Sequence, residues 1–124
     1  TQTSKGRFTV NNSNLAECGP MAFEVGYSME SPKNLVLWEA QFGDFYNPAQ
    51  AVVDQMIRDL NQSGFDSGIV LLLPHGFDGA GPEHSTCHLE RFLQKVNSNI
   101  WDPSKDHEPD LESKDVNMQI ANCT

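Results

Sequence analysis

The stretch IVLLL at residues 69–73 is the longest unbroken apolar run in the chain. A continuous run of this length is typical of a strand that is buried on both faces, as in parallel sheets. Residues 35–38 (LVLW) have the same character and predict a second buried strand. Residues 8–10 and 116–121 are further candidates for strands near the two ends of the chain.

Two stretches show the period of an amphipathic helix. Between residues 48 and 60, apolar side chains recur at helical spacing, and Asp54 and Arg58 stand four apart as a pair of opposite charges. Residues 85–96 have an apolar inner face of the same kind. The aromatic stretch 39–48 shows neither helical nor strand period, so we expect a loop there.

The first helix, which should run to about Met29, has two alternative starts. Asn14 and Glu17 have the spacing of a capping box, which predicts an early start. Alternatively Gly19 caps the helix and Pro20 lies in its first turn, where proline is tolerated. The choice matters because it moves the carboxylate of Glu17.

The order of helices and strands predicts an α/β fold with a mainly parallel sheet and helices on both faces. In such sheets ligands bind beyond the carboxyl ends of the strands. The loops 39–48 and 74–84 each follow a strand and should therefore meet at the ligand-binding edge. Residues 1–7 are expected to be a loose N-terminus, and 98–115 an acidic insertion or linker.

The charge of the chain excludes two classes of partner. In 124 residues there are 8 Lys and Arg against 17 Asp and Glu, which gives a formal net charge of −9. A nucleic-acid or anionic-membrane surface needs net positive charge, so neither is expected as a partner. No run approaches the roughly 18 apolar residues of a membrane span. The odd number of cysteines predicts buried or free thiols rather than a disulfide framework.

The loop chemistry leaves alternatives open. Phe42, Phe45 and Tyr46 either stack on a flat heterocycle or fold back onto a small core. His84 and His88 would share a helix face with zinc-like spacing, but no zinc pattern is complete and no metal site is predicted. A triad of Ser85, His84 and Asp78 can be assembled only on paper, because no nucleophile elbow supports it.

Five motifs in series go beyond these patterns. They are residues 23–27 (FEVGY), 37–45 (LWEAQFGDF), 72–76 (LLPHG), 81–85 (GPEHS) and 89–94 (LERFLQ). Together they resemble the decarboxylating first component of the 2-oxoglutarate dehydrogenase complex, over about residues 8–96 and again near 115–124. The resemblance implies that residues 1–124 are part of a transketolase-like domain that receives the pyrimidine ring of thiamine diphosphate.

The resemblance to this family implies an activity, a cofactor and partners. Its members decarboxylate 2-oxoglutarate and transfer the succinyl group to a lipoyl arm in the tricarboxylic acid cycle. They are homodimers that work with a lipoyl-bearing succinyltransferase and dihydrolipoyl dehydrogenase, in the mitochondrial matrix of eukaryotes or the bacterial cytoplasm. Magnesium and the diphosphate are held by a separate domain with a Gly-Asp-Gly…Asn motif that these residues lack. We therefore expect this chain alone neither to bind the diphosphate nor to turn over substrate.

The resemblance assigns cofactor contacts residue by residue. Glu17, seven residues before Glu24, occupies the position of the glutamate that hydrogen-bonds a ring nitrogen and favours the imino tautomer. Phe42 and Phe45 stand where the family places aromatic rings over the pyrimidine, and the sequence does not separate them.

The resemblance also assigns substrate contacts. His75 and His84 match two histidines near the substrate carboxylate and the reacting carbon, and either can donate a hydrogen bond to a developing oxyanion. Glu39, Gln41 and Asp44 are assigned to the surroundings of the site. The histidine pair favours 2-oxoglutarate over its longer relative.

Several positions depart from the family pattern. They are Ala16 in place of Ser, Pro20 in place of an apolar helix former, Ala22 in place of Gly, His88 in place of Arg, and the stretch 58–67, which lacks a Lys-Trp pair. These departures suggest a relaxed or degenerate copy. The alternative function is therefore a non-catalytic, truncated paralogue that acts as an interaction module with a full-length subunit.

Overall fold

Two parallel strands lie at the centre of the fold. The computed structural model describes residues 5–60, 64–65, 67–96 and 117–123. In it, β1 (Val36–Glu39) pairs with β2 (Ile69–Leu72), in a register that runs from Val36 opposite Ile69 to Glu39 opposite Leu72. Parallel pairing requires a long crossover, which the helical segments between the strands supply. The predicted parallel α/β arrangement is confirmed.

Helix α1 (Cys18–Met29) precedes β1 and packs against it. Pro20 lies in the first turn, where its missing N–H removes no helical hydrogen bond, so this part of the later predicted start is confirmed. The cap residue is Glu17 rather than Gly19, and no side-chain capping hydrogen bond is formed there. The capping box of Asn14 and Glu17 is therefore wrong, because the helix begins after both residues.

The crossover is helical but irregular. A 3₁₀ segment, Gly43–Ala49, leads into α2 (Gln50–Val52), which continues as a π-helical turn, Val53–Ile57. The predicted loop at 39–48 is thus wrong from Gly43 onward, whereas the helix predicted to follow it is confirmed in part. Pro48 lies inside the 3₁₀ segment and has no N–H with which to form a regular α-helical ladder.

The last helix is shorter than predicted. Helix α3 is limited to Leu89–Leu93, and a separate 3₁₀ turn, Pro82–His84, precedes it. Between them His88 has φ +53°, in the left-handed region, which interrupts the helical path. His84 and His88 therefore do not share a helix face. The described residues contain no cluster of three or more His, Cys, Asp or Glu side chains that could hold a metal ion.

The core lies on one side of the sheet. It consists of Met21, Val25, Trp38, Ala40, Tyr46, Ala49, Val52, Val53, Leu60 and Phe92. On the opposite side, Leu37, Val70 and Leu72 are exposed. Continuous burial of residues 69–73 is therefore not seen in the described part of the chain, because helices cover only one face of the strands there.

An ion pair joins the π-helical turn Val53–Ile57 to the residues that follow α3. Lys95 Nζ contacts Asp54 Oδ1, which also accepts a hydrogen bond of 3.0 Å from Gln50 Nε2. Burial opposes ionisation of Asp54, but these two donors outweigh it and lower the pKa of the carboxyl group. The predicted pair with Arg58 does not form, because its guanidinium lies 3.7 Å from Asp59 instead.

The ends of the described chain lack regular structure. Residues 5–14 are exposed and 117–123 form no strand, so the strands predicted at 8–10 and 116–121 are not found there. A strand of three residues without a partner buries too little to be stable. The predicted acidic insertion at 98–115 lies outside the described residues. None of the helices in the described residues has the length and apolar character needed to cross a membrane.

Candidate functional site

The segments that follow β1 and β2 meet at one edge of the sheet, as parallel strands require. They are called the two loops below, although the first becomes a 3₁₀ segment at Gly43. Their contact is close at Gly43, where an added Cβ would lie 1.8 Å from the carbonyl oxygen of Pro74. Only glycine fits at this position without moving the backbone. The loops are therefore held in a single arrangement at the edge where a ligand is expected.

His84 is the centre of a cluster formed by both loops. Its Nδ1 donates a hydrogen bond to Asp44, at 3.0 Å from Oδ1 and 3.2 Å from Oδ2. The Phe42 ring stacks on the imidazole with centroids 4.1 Å apart and planes inclined by 7°, and Phe45 lies 5.2 Å away at 44°. These four residues are called the His84 cluster below.

His75 lies on the second loop and is oriented by the backbone. Its Nδ1 accepts a hydrogen bond of 3.0 Å from the N–H of Cys87. The neighbouring Gly76 has φ +62°, which glycine adopts without strain, and its N–H donates to Ser85 O at 2.8 Å. These two bonds tie residues 75–76 to residues 85–87. An open depression lies beside His75, lined also by Gly76, Phe77, Asp78, Asn122 and Cys123.

Glu17 stands apart from this network. It is half-buried at the N-terminus of α1, and its carboxylate makes no capping hydrogen bond. Its oxygens are therefore not used to stabilise the helix end. Because α1 packs on the 3₁₀ segment Gly43–Ala49, Glu17 and the aromatic rings belong to neighbouring elements.

The triad assembled on paper is wrong. His84 pairs with Asp44 rather than Asp78, and the hydroxyl of Ser85 donates to Pro82 O at 3.1 Å. A serine bonded to a local carbonyl has no base to take its proton. Nucleophilic catalysis by this serine is not supported by the arrangement of the described residues.

Cys87 and Tyr46 lie beneath the loops and are buried. Burial raises the pKa of the Cys87 thiol, and the nearby carboxylate of Glu90 acts in the same direction. Burial likewise raises the pKa of the Tyr46 hydroxyl, against the opposing charge of Arg91. Since the reactive form of a cysteine is the thiolate, both the burial of Cys87 and its raised pKa disfavour it as a nucleophile.

Asp44 is the residue whose importance the sequence understated. It was expected only in the surroundings of the site, yet it holds one of the two predicted histidines directly. Its position in residues 37–45, next to the loop aromatics, is the signal that points to it. The N–H of Cys87 carries no such signal, because a backbone donor is common to every residue except proline.

The fit of a flat heteroaromatic ring can be tested on the His84 cluster itself. An imidazole already lies parallel to Phe42 at stacking distance, so the aromatic rings of this loop accept a flat heterocycle. Phe45 is inclined to both of its ring neighbours and forms no parallel stack with them. Glu17, at the start of the helix that packs on the segment Gly43–Ala49, supplies a carboxylate on a neighbouring element. The residues present therefore suit a pyrimidine ring.

The loops after β1 and β2 bring aromatic side chains and two histidines to one edge of a parallel α/β domain, the edge at which domains of this class bind ligands. The model of the family described as "Transketolase, pyrimidine binding domain" matches residues 1–123. The chain therefore belongs to the transketolase pyrimidine-binding domain family. Membership implies thiamine diphosphate as the cofactor of the family.

Similar proteins indicate which members of this family the chain resembles. The chain is 49% identical over 119 residues to the mitochondrial 2-oxoglutarate dehydrogenase of Dictyostelium discoideum, and 50% identical over 118 residues to that of Saccharomyces cerevisiae. Each match covers 94% of this chain and 12% of the relative. A probable 2-oxoadipate dehydrogenase complex component of Dictyostelium is 58% identical over 92 residues, which is 73% of this chain and 10% of that protein.

These matches confirm the resemblance to the 2-oxoglutarate dehydrogenases and the assignment to a family of oxidoreductases. The chain spans about an eighth of the length of these relatives. What the similarity describes is one domain of such a protein.

Proposed function

We propose that this chain forms the pyrimidine-binding side of a thiamine-diphosphate site in a 2-oxo acid dehydrogenase. The observation that supports this most directly is the His84 cluster, in which Phe42 already holds a flat nitrogen heterocycle at 4.1 Å. When bound, thiamine diphosphate supplies a carbanionic nucleophile and an electron sink. The residues of this chain bind and orient its ring and handle protons beside it.

Glu17 is the proposed ring-nitrogen partner. Its carboxyl group would hydrogen-bond the pyrimidine and hold a proton at that ring nitrogen. Support comes from its half-buried position and from the missing capping bond, which leaves both oxygens available. The proline that threatened this geometry, Pro20, lies in the first turn of α1 and leaves Glu17 directly at the start of the helix.

Phe45 is the proposed stacking ring for the pyrimidine. Phe42 gives one face to His84, whereas Phe45 is inclined at 41° to Phe42 and 44° to His84 and has no parallel partner in the described residues. His75 and His84 would face the substrate, where each offers Nε2 to a developing oxyanion or to a carboxylate.

For the complete protein we propose decarboxylation of 2-oxoglutarate and transfer of the succinyl group to a lipoyl arm in the tricarboxylic acid cycle. The proposal includes a homodimer, magnesium held by a separate domain, and association with a lipoyl-bearing succinyltransferase and dihydrolipoyl dehydrogenase. The relatives from Dictyostelium and Saccharomyces are named as mitochondrial, which supports the matrix as the location in a eukaryote.

A chimaera tests the proposal. Residues 8–96 of this chain replace the matching part of the Dictyostelium 2-oxoglutarate dehydrogenase, and decarboxylation is followed with ferricyanide as electron acceptor. We expect activity that depends on added thiamine diphosphate and magnesium, with 2-oxoglutarate preferred to 2-oxoadipate. In the chimaera, Glu17→Ala should lower kcat by at least about 100-fold, the contribution of a positioned acid.

Glu24→Ala is the matched control, because it removes a carboxylate seven residues further along the chain. It should leave kcat within a few-fold of the chimaera. Activity of Glu17→Ala equal to that of the unchanged chimaera would contradict the role of Glu17. A folded, dimeric chimaera without cofactor-dependent activity would favour the alternative of a non-catalytic paralogue.

A further inference from the structure

The two site histidines have hydrogen-bond partners of opposite kind. His84 faces a carboxylate through Nδ1, and His75 faces a backbone N–H through the same ring atom. A carboxylate accepts hydrogen bonds and a backbone N–H only donates them. The partner therefore decides which ring nitrogen of each neutral histidine carries the proton.

In His84 the proton lies on Nδ1. Both oxygens of Asp44 are within hydrogen-bond distance of this atom, and the stacked Phe42 ring holds the imidazole plane. The neutral ring then keeps a free lone pair on Nε2. Glu83 Oε1 lies 3.8 Å from Nε2, beyond hydrogen-bond distance but close enough to stabilise a positive charge on the ring.

In His75 the arrangement is reversed. Nδ1 accepts the N–H of Cys87 at 3.0 Å, so in the neutral ring the proton lies on Nε2. A proton added to Nδ1 of His75 would face the N–H of Cys87, so the hydrogen bond between Cys87 and His75 would be lost. Cys87 is buried, so its N–H would then have no water as an alternative partner.

We propose that the two histidines divide the proton chemistry of the site between them, with Asp44 as the positioning residue. His84 takes up a proton at Nε2 and gives it back, without losing its bond to Asp44 in either state. His75 donates a fixed hydrogen bond from Nε2. This division of roles rests on the proposed function, whereas the placement of the protons rests only on the hydrogen bonds.

The placement is tested by NMR on the 124-residue chain. The chain is labelled with ¹⁵N at histidine, and the ring nitrogens are correlated with the ring protons at about pH 8, where unperturbed histidines are neutral. The four histidines are assigned with single His→Gln variants. We expect a protonated Nε2 in His75 and a protonated Nδ1 in His84.

Two substitutions at Asp44 sharpen the NMR test. Asp44→Ala removes the acceptor, so the proton of His84 should move to Nε2. Asp44→Asn keeps a carbonyl oxygen as acceptor, so the proton should stay on Nδ1. Asp78→Ala, an exposed carboxylate of the neighbouring loop, is the control and should change neither histidine. A protonated Nε2 in His84 of the unchanged chain would overturn the proposal even if the alanine variant does not fold.

The roles are tested by kinetics in the chimaera described above. Glutamine carries a side-chain N–H where Nε2–H lies in histidine, but it cannot take up a proton. His75→Gln should therefore retain activity within about 10-fold, whereas His84→Gln should lose at least about 100-fold. In Asp44→Asn, the pH at which kcat is half-maximal should shift, and a merely structural role for Asp44 would not move it.

The outcomes separate the two proposals. Equal losses in His75→Gln and His84→Gln, or a larger loss at His75, would overturn the division of roles while leaving the proposed function intact. A chimaera that is inactive before any histidine is changed would contradict the proposed function and the roles that rest on it. The NMR result would still decide where the protons lie.

Discussion

A methyl group on Gly43 would lie 1.8 Å from the carbonyl oxygen of Pro74 and 3.0 Å from Cβ of Cys87. Neither the backbone oxygen nor the buried cysteine can move aside without displacing the second loop. Gly43 is therefore the point at which the loop after β1 is fixed against the loop after β2. The clash that any larger side chain would cause makes this contact easy to test.

Gly43→Ala should lower the free energy of unfolding by about 3 kcal/mol, the upper range for overpacking in a core. Gly26→Ala is the matched control, because nothing lies within 4 Å of its added Cβ. Within α1 that change should raise stability by about 0.5–1 kcal/mol. Urea unfolding of the two variants checks the prediction, and equal stability of both would contradict the close contact.

The three cysteines should differ in reactivity. Cys18 and Cys123 are exposed, while Cys87 is buried and its pKa is raised mainly by that burial. With a thiol reagent at neutral pH, two thiols should react quickly and the third at least about 10-fold more slowly, because only the thiolate attacks. Mass spectrometry of the modified peptides identifies the slow site.

Unfolding in denaturant provides the control for the cysteine experiment, since all three thiols should then react at similar rates. Fast modification of Cys87 in the folded chain would mean that the loops above it open readily. The prediction that the packed loops protect Cys87 would then be wrong.

A chain of hydroxyl hydrogen bonds joins α1 to the start of β2. The N–H of Ile69 donates to Ser67 Oγ at 3.2 Å, and Ser28 Oγ donates to Val25 O at 2.7 Å. The two hydroxyls are 2.6 Å apart, and with these roles Ser67 donates to Ser28. Ser28→Ala should cost about 1–2 kcal/mol, because it leaves a donor without its partner in a buried place.

A double-mutant cycle with Ser67→Ala measures the bond between the two hydroxyls. The two losses should not add, since removal of either serine breaks the same bond. Ser13→Ala is the control, because that hydroxyl is exposed and bonds only to its neighbour at 3.4 Å. Strict additivity of the Ser28 and Ser67 variants would contradict the chain of bonds.

The Asp54–Lys95 pair should make the fold sensitive to acid. Hydrogen bonds from Lys95 and Gln50 lower the pKa of Asp54 below its value in the unfolded chain, about 3.8, despite the opposing effect of burial. A lowered pKa stabilises the fold above the unfolded value, and this stability is lost as the pH falls through the folded value. Asp54→Asn should therefore flatten the loss of stability as the pH falls below about 4.

Because the pair is partly exposed, the effect should not exceed about 1 kcal/mol. Chemical denaturation at a series of pH values measures it, and Lys95→Met should act in the same direction as Asp54→Asn but less, because Gln50 still donates to Asp54. Lys33→Met is the control, since this exposed lysine is not among the groups that lower the pKa of Asp54. Acid dependence that is unchanged in Asp54→Asn would contradict the prediction.

The sequence predicts those features of the structure that neighbouring residues in the chain determine. The apolar runs at 35–38 and 69–73 become β1 and β2, because a strand is visible in its own side chains. The parallel pairing follows from the helices between the strands. The sequence leaves two starts open for α1. Because proline is tolerated in the first turn of a helix and not further along, Pro20 favours the later one, and it does lie in the first turn.

The errors have non-local causes. Helix α3 is short because His88 adopts a left-handed backbone conformation, which a histidine seldom takes and which no sequence pattern announces. The partner of His84 is Asp44, 40 residues away, and the partner of Asp54 is Lys95 rather than Arg58. Such pairs are fixed only when elements pack, so the residues were recognisable from the sequence while their contacts were not.

The parallel register of the two strands also constrains how the fold is reached. Val36 and Ile69 come from distant parts of the chain, so the entropy of closing the intervening segment must be overcome before their pairing stabilises the fold. Both site loops start from the carboxyl ends of these strands. In kinetic terms, the histidines and aromatics should come together late in folding. A mutation that slows folding of the helical crossover should delay formation of the whole site.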